Sequence, residues 1–338
     1  MRHPLILTFL AGAATAATAA ETPRWDRPRA FEFMESRQQA WAAWKPAQKP
    51  GGPCISCHTG LSYMLARRAS GAPDATPSER DLVRGVTQRA LASPPTVTMP
   101  DPGAEAVLNL LTLALQRPKP DTGVGAAERA ALSTLVERQI KDGPARGSWT
   151  WVDAGLDPFD APHSAYFGTA LAVFALAAYQ DPLPEVASKA RDYLQRDLQA
   201  QPLHNRLAWL AFVPAKSRDE RLVDPVRESA WKAQSPDGGW TTSSMGPWLP
   251  QEGNPADPGS NAYMTAFAAY ALRQSGVPCR DERLARALAW LERQQDPKTG
   301  GWRAVSMNKE YPEGSIQEGF MTDAATGFAA AALLSCAQ

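Results

Sequence analysis

Two cysteines and a histidine lie within five residues of one another and could share one prosthetic group. Two residues separate Cys54 from Cys57, and His58 follows directly. This C-x-x-C-H spacing is typical of c-type haem attachment, in which two thiols bond the vinyl groups of one haem and the adjacent imidazole becomes an axial ligand of the iron. The motif predicts one covalent haem c held by Cys54, Cys57 and His58, with His58 as the iron ligand.

Two other chemistries use the same pair of thiols. A C-x-x-C pair can form a reducible disulfide, and two cysteines can supply half of a zinc site. Zinc requires a second close pair of ligands, which we do not find in the sequence. The motif therefore favours haem, while the redox disulfide and the zinc site stay open as alternatives.

The first 20 residues have the features of a secretory signal peptide. Arg2 and His3 precede an apolar stretch at 5–10, and small residues at 17–19 suit a cleavage site. We expect a periplasmic or secreted protein, which is also where haem c is attached. The rest of the chain has no apolar run long enough to span a membrane. Its 35 Lys+Arg against 35 Asp+Glu argue against nucleic-acid binding through bulk charge.

Helical patterns separated by Pro- and Gly-rich loops fill the remaining chain, and no period-two strand pattern stands out. Amphipathic segments with one charged face alternate with short segments that are almost free of charge. The charge-poor segments are 59–69, 106–115, 165–179, 207–213, 262–272 and 324–334. A helix that is apolar all round must be covered all round. We therefore expect a single all-α domain at 21–338, an α6/α6 toroid in which six outer helices enclose six inner ones.

A glutamine followed by a Gly-Trp turn recurs after three amphipathic helices, as internal repeats do. The copies are Gln139 with Gly147-Ser148-Trp149, Gln234 with Gly238-Gly239-Trp240, and Gln294 with Gly300-Gly301-Trp302. These elements resemble the repeats of the squalene–hopene cyclase and prenyltransferase superfamily over most of the chain. The resemblance implies an α/α toroid in which the glutamine and tryptophan are structural.

The resemblance does not extend to the familiar activities of that superfamily. The Asp-rich D-x-D-D element with which terpene cyclases protonate their substrate is absent, so cyclase activity is not expected. No histidine follows His204 to complete a prenyltransferase zinc site. An exported variant of the superfamily looks similar around the motif, with paired tryptophans, C-x-x-C-H-T and Leu-Ala-Arg, here Trp41, Trp44, 54–59 and 65–67. This likeness implies a haem at the mouth of the ring.

Every histidine after the signal peptide stands at the start of a charge-poor helix. If the inner helices run in one direction, His58, His163 and His204 share one face of the ring, which we call the mouth. We expect His163, with His204 as the alternative, to be a second iron ligand or a polar group over an open coordination position. An ordinary histidine at a helix start is the competing interpretation for both.

Other residues near the mouth are candidates for lining a cavity. Three tyrosines recur one turn inside it and two aspartates precede or open inner helices, namely Tyr63, Tyr166, Tyr263, Asp160 and Asp323. The tyrosines could equally be core residues and the aspartates helix caps. At the opposite end, Cys279 and Cys336 follow neighbouring inner helices, so we expect a disulfide, with two free thiols as the alternative.

Three functions are consistent with these features. The leading one is an exported c-type haem protein that transfers electrons or performs redox chemistry on a bound, isoprenoid-like ligand, with a redox partner protein or a small apolar molecule as its partner. The second is a toroid glycoside hydrolase or polysaccharide lyase that uses mouth carboxylates as acid and base. The third is a non-catalytic, terpene-cyclase-like binding scaffold. Fold alone does not choose among them.

Overall fold

A computed structural model describes residues 25–92, 99–117, 123–180, 182–248 and 259–337. Within these ranges, six helices form an outer ring and six an inner ring. The outer helices are α1 (Arg27–Ala43), α3 (Pro77–Leu91), α5 (Ala126–Arg138), α7 (Pro184–Arg196), α9 (Glu220–Ala233) and α12 (Glu282–Gln294). The inner helices are α2 (Gly60–Ser70), α4 (Pro102–Leu115), α6 (Ser164–Ala177), α8 (Leu203–Phe212), α11 (Ala262–Gln274) and α13 (Phe320–Leu334).

The inner ring is closed. Each inner helix packs on the next in chain order, and α13 returns to pack on α2. Outer helices bury only one stripe, as α12 does with Leu284, Leu288 and Leu291, whereas nearly every residue of α13 is buried. The predicted all-α double ring is thus confirmed, and its cause is the alternation of one-faced and fully apolar helices.

Small elements fill the connections. A short helix, α10 (Thr242–Met245), follows the second Gly-Trp turn, and two-residue strands β1 (Gln48–Lys49) and β2 (Gly52–Pro53) form an antiparallel pair before α2. Several inner helices begin earlier than the sequence pattern predicted. In α4, for example, Asp101 caps the helix by accepting from the amide of Ala104, and Pro102 occupies its first turn. Among the described residues, no helix is both long and apolar enough to cross a bilayer.

The inner helices run in parallel, because their starts contact one another. The hydroxyl of Thr59, just before α2, donates to Asp323 near the start of α13 over 2.7 Å. At the start of α8, the amide of Asn205 donates to the carbonyl oxygen of His163, just before α6, over 3.2 Å. The N-terminal ends of these helices therefore share one face, the mouth.

The other ends of the inner helices also meet. Arg68 at the end of α2 donates to the carbonyl oxygen of Leu115 at the end of α4 over 3.2 Å. Cys279 and Cys336, which follow α11 and α13, are joined by a disulfide. A covalent bond between two neighbouring helix ends thus lies on the face opposite the mouth.

The recurring glutamines connect successive outer helices. Each side-chain amide donates to the carbonyl of the first turn glycine and, in two copies, to a carbonyl of the next outer helix, at 2.8–3.0 Å; the contacts are Gln139 to Gly147 and Val186, and Gln234 to Gly238 and Arg283. In the third copy the residue is Gln295, which bonds Gly300 and Asp26, so the predicted Gln294 is wrong. Gln294 is the last residue of α12 and its side chain is exposed.

The third glutamine closes the outer ring. Gln295 accepts from the amide of Asp26 over 2.7 Å and donates to the carbonyl of the same residue over 2.9 Å, which joins the end of α12 to the start of α1. Gly300 supports the junction, because it has φ +82° and a Cβ there would lie 2.6 Å from the backbone of Arg29. Helix α1 thus occupies the place of the next outer helix.

Candidate functional site

The C-x-x-C-H segment forms a tight turn that leads into α2. The amide of Cys54 donates to the carbonyl of Ala47 over 2.9 Å, and the indole nitrogen of Trp41 donates to the carbonyl of Cys54 over 2.7 Å. Ser56 accepts from the amides of Thr59 and Gly60 at 3.1 and 3.0 Å, which satisfies two free donors at the helix start. Its position between the cysteines makes it the local cap of α2.

The two thiols are buried and are not bonded to each other. Cys54 packs with Trp41 and Ala47, whereas Cys57 lies within the main core. Burial raises the pKa of the Cys54 thiol and raises that of Cys57 well above its ordinary value, with the charge of Asp160 adding to the effect on Cys57. Cysteines that exchange disulfides have lowered pKa values, so the packing gives the redox-disulfide alternative little support.

The imidazole of His58 is held between two aromatic rings. It stacks on Phe320 with ring centroids 3.8 Å apart and meets Trp41 edge-on at 5.2 Å. Burial, with the nearby charge of Arg37, lowers the pKa of His58 to about 3. The ring is therefore neutral at physiological pH, which is the form that ligates metals.

A hydrogen-bonded chain lies beside Nδ1 of His58. The hydroxyl of Thr59 donates to Asp323 over 2.7 Å, and its oxygen lies 2.9 Å from Nδ1 of His58. Asp323 is also ion-paired with Arg37, whose Nε and Nη2 lie 2.5 and 3.1 Å from its carboxylate oxygens. Nδ1 of His58 thus faces this chain, while Nε2 has no hydrogen-bond partner among the described residues.

Asp323 takes part in this network. Its side chain is only 3% exposed, and its carboxylate is engaged by Thr59 and Arg37. Burial raises its pKa, while the Arg37 contacts act in the opposite direction. Asp323 thus forms a buried ion pair next to His58, and its role in lining a cavity stays a prediction.

His163 and His204 lie at the mouth but do not contact His58 in the described part of the chain. Nε2 of His163 is 3.1 Å from Oδ1 of Asp157. His204 is fully buried, with Nε2 2.8 Å from the hydroxyl of Tyr263 and its ring stacked on Phe267. Burial lowers the pKa of His204 to about 3, so its ring is neutral at physiological pH. A role for either as a second iron ligand stays a prediction.

The three tyrosines do not share one environment. The hydroxyl of Tyr63 donates to Glu35 on outer helix α1 at 2.5 Å, and that of Tyr166 donates to the carbonyl of Leu194 on outer helix α7 at 2.5 Å. Only Tyr263, bonded to His204, points into the inner ring. Tyr63, Tyr166 and Tyr263 are the fourth, third and second residues of their helices. Their side chains therefore point in different directions around the helix axes.

Asp160 is the predicted cavity residue with a free carboxylate. Its backbone pairs with Leu156, while its side chain has no hydrogen-bond partner among the described residues. Burial raises its pKa to about 6. Its charge also raises the pKa values of Cys57 and Tyr311, which places it on the side of the mouth near the C-x-x-C-H turn.

Aromatic side chains fill the interior of the inner ring where the structure describes it. Four fully buried phenylalanines from four inner helices lie with ring centroids 5.1–6.4 Å apart, namely Phe167, Phe212, Phe267 and Phe328. Such contacts stabilise a core beyond the area they bury. The interior is apolar and packed beneath the mouth.

One cleft on the side of the double ring was missed by the sequence analysis. It lies between α1 and α2, has a volume of about 370 Å³ and is lined by Glu35, Tyr63, Arg67 and Thr76 among others. Burial alone would raise the pKa of Glu35, but hydrogen bonds led by those of Ser78 and Tyr63 lower it overall. Because α1 reads as an amphipathic helix, its sequence carries no signal for this network.

Preformed metal sites of the zinc type are not present in the described ranges. No group of three or more His, Cys, Asp or Glu side chains there is arranged to hold an ion.

Thr59 and Arg37 were not predicted as partners of the site. The one signal that could have found them is that Thr59 directly follows the motif. The signal peptide predicted at 1–20 lies outside the described residues.

Comparisons with known proteins return a structural likeness only. No family model matches the chain, and no curated protein matches its sequence. Among solved structures, the chain is similar to the apo form of the type II terpene cyclase MstE from Scytonema, with 14% sequence identity and a TM-score of 0.49. The match covers 90% of this chain and 99% of that chain. The likeness concerns the fold and carries no information about chemistry.

Proposed function

We propose that this chain is an exported c-type haem protein in which an α/α toroid carries one covalent haem at its mouth. The observation that supports the proposal most directly is the state of His58, a neutral imidazole whose Nδ1 contacts the Thr59 hydroxyl at 2.9 Å while Nε2 has no hydrogen-bond partner among the described residues. Two unpaired thiols lie in the same turn. The donor set therefore suits a haem.

Attachment needs reduced, protonated thiols. Each S–H of Cys54 and Cys57 adds across one vinyl C=C bond, so that sulfur bonds one carbon, the proton goes to the other, and no oxidant is consumed. Raised pKa values keep both thiols protonated. The side chains of Trp41 and Phe320, which pack beside Cys54, would offer apolar contact to a haem. When bound, the haem would supply a one-electron iron couple.

The role we propose is electron transfer, or redox chemistry on a small apolar, isoprenoid-like ligand. The apolar, aromatic surroundings of His58, namely Trp41 and Phe320, favour contact with an apolar molecule over a charged one. A redox partner protein would approach the same mouth. Residues 1–20, read as a signal peptide, would direct the chain to the compartment where haem c is attached.

The alternatives receive less support from the geometry. Carbohydrate cleavage requires two carboxylates facing one substrate, whereas the mouth carboxylate Asp323 is committed to an ion pair with Arg37. A non-catalytic scaffold agrees with the fold and with the apolar interior, and it predicts a protein without haem.

Absorption spectroscopy separates these proposals. The full chain is produced together with haem-attachment machinery, purified and denatured, and a Soret band that survives denaturation is expected. Cys54→Ala combined with Cys57→Ala should abolish the band, whereas the matched control, Cys279→Ala combined with Cys336→Ala, should retain it. A wild-type chain without a surviving band would refute the haem proposal and leave the scaffold.

A further inference from the structure

The chain of contacts behind His58 crosses the ring junction between α2 and α13. Nδ1 of His58 lies 2.9 Å from the Thr59 hydroxyl oxygen, which lies 2.7 Å from Oδ2 of Asp323. Arg37 on α1 holds the same carboxylate with two nitrogens. Residues of α1, of the turn before α2 and of α13 thus form one chain of contacts that ends at the Nδ1 edge of the imidazole.

The polarity of this chain is fixed by its chemistry. Asp323 is paired with Arg37, so its ionised oxygens can only accept, and the single proton of the Thr59 hydroxyl must point at them. The hydroxyl oxygen is then an acceptor, which requires a proton on Nδ1. A hydrogen bond that ends on a carboxylate also pulls that proton away from the ring and makes the opposite nitrogen more basic.

We propose that Thr59 and Asp323 are positioning residues that hold His58 in the Nδ1–H tautomer and raise the electron-donor strength of its Nε2 atom. The assignment of the tautomer concerns the chain itself, while its consequence for iron rests on the proposed function. A more basic axial nitrogen stabilises the oxidised iron more than the reduced iron, so the network lowers the reduction potential of the haem.

The tautomer is measured by nitrogen-15 NMR of the full chain, produced without haem-attachment machinery and labelled at histidine. The wild-type spectrum should show His58 protonated on Nδ1. Thr59→Val keeps the side-chain shape without the hydroxyl and should shift His58 to mainly the Nε2–H form, whereas Thr59→Ser should restore the original form. Thr169→Val is the matched control, because Thr169 is a buried inner-helix threonine that bonds only its own helix.

The consequence for iron is measured as a reduction potential in the haem-loaded chain. Thr59→Val should raise the potential, Asp323→Asn should shift it in the same direction, and Thr59→Ser and Thr169→Val should stay near wild type. Asp323→Asn keeps the inference testable if Thr59→Val does not fold.

Two results would overturn the inference. One is a wild-type His58 protonated on Nε2, and the other is a potential that Thr59→Val and Asp323→Asn leave unchanged. A chain that takes up no haem would refute the proposed function instead, and the nitrogen spectra would still decide whether Thr59 and Asp323 set the tautomer.

Discussion

At the scale of single residues, the candidate site is defined by what each donor atom already bonds. His58 has one nitrogen committed to Thr59 and one without a partner among the described residues, whereas His204 has Nε2 bonded to Tyr263. The five-residue motif was sufficient to select His58. It could not reveal Asp323, because the contact with Thr59 spans 264 positions and depends on ring closure.

Asp160 allows a test of burial at the mouth. Its pKa is raised from 3.8 to about 6, so the folded chain holds this proton more tightly than the unfolded chain. Stability is therefore lost as the pH rises from about 4 through 6. Asp160→Asn should stabilise the fold by at most about 3 kcal/mol at pH 7 and leave it unchanged at pH 3.

Urea unfolding at the two pH values measures this effect. Asp153→Asn, which removes the same charge from an exposed loop position, is the control and should change stability little at either pH. Equal effects of the two substitutions at pH 7 would contradict the burial of the Asp160 carboxylate.

At the scale of elements, the Gln and Gly-Trp units connect each outer helix to the next one around the ring. The indole nitrogens of Trp149, Trp240 and Trp302 each donate to a carbonyl of the preceding outer helix at 2.7–2.8 Å. The repeated spacing predicted this structural role. It did not predict which of the two adjacent glutamines makes the side-chain hydrogen bonds of the third unit, because that depends on the residue at which α12 ends, which is Gln294.

The adjacent glutamines provide a matched pair of substitutions. Gln295→Ala removes three hydrogen bonds that connect α12, the Gly-Trp turn and α1, and should destabilise the fold by about 1–3 kcal/mol. Gln294→Ala removes an exposed side chain and should cost less than about 0.5 kcal/mol. Equal shifts of the urea midpoint would show that Gln295 does not close the ring.

At the scale of the whole molecule, alternation of charge-rich and charge-poor helices was enough to predict the double ring. A helix that is apolar on nearly every side must be covered, and six such helices in strict alternation leave few other arrangements. The orientation of each tyrosine was not predictable, because it depends on the exact first residue of each inner helix: Tyr63 and Tyr166 donate to outer helices, whereas Tyr263 bonds His204.

The disulfide joins two ends of the inner ring and encloses a loop with a sequence separation of 57. Cross-linking a loop of this length restricts the unfolded chain, and its removal should cost about 2–4 kcal/mol. Replacing Cys279 and Cys336 by alanine should lower the urea midpoint and make it insensitive to reductant, whereas the wild-type midpoint should fall when reductant is added. A wild-type midpoint unaffected by full reduction would contradict this role.

The mass of the intact exported chain tests the central proposal most directly. Protein recovered from the periplasm of cells that attach haem should have the mass of a polypeptide cleaved near residue 20 plus that of one haem, and the added mass should disappear in Cys54→Ala combined with Cys57→Ala. An exported chain with the mass of the polypeptide alone, from cells that load a control c-type protein, would contradict it.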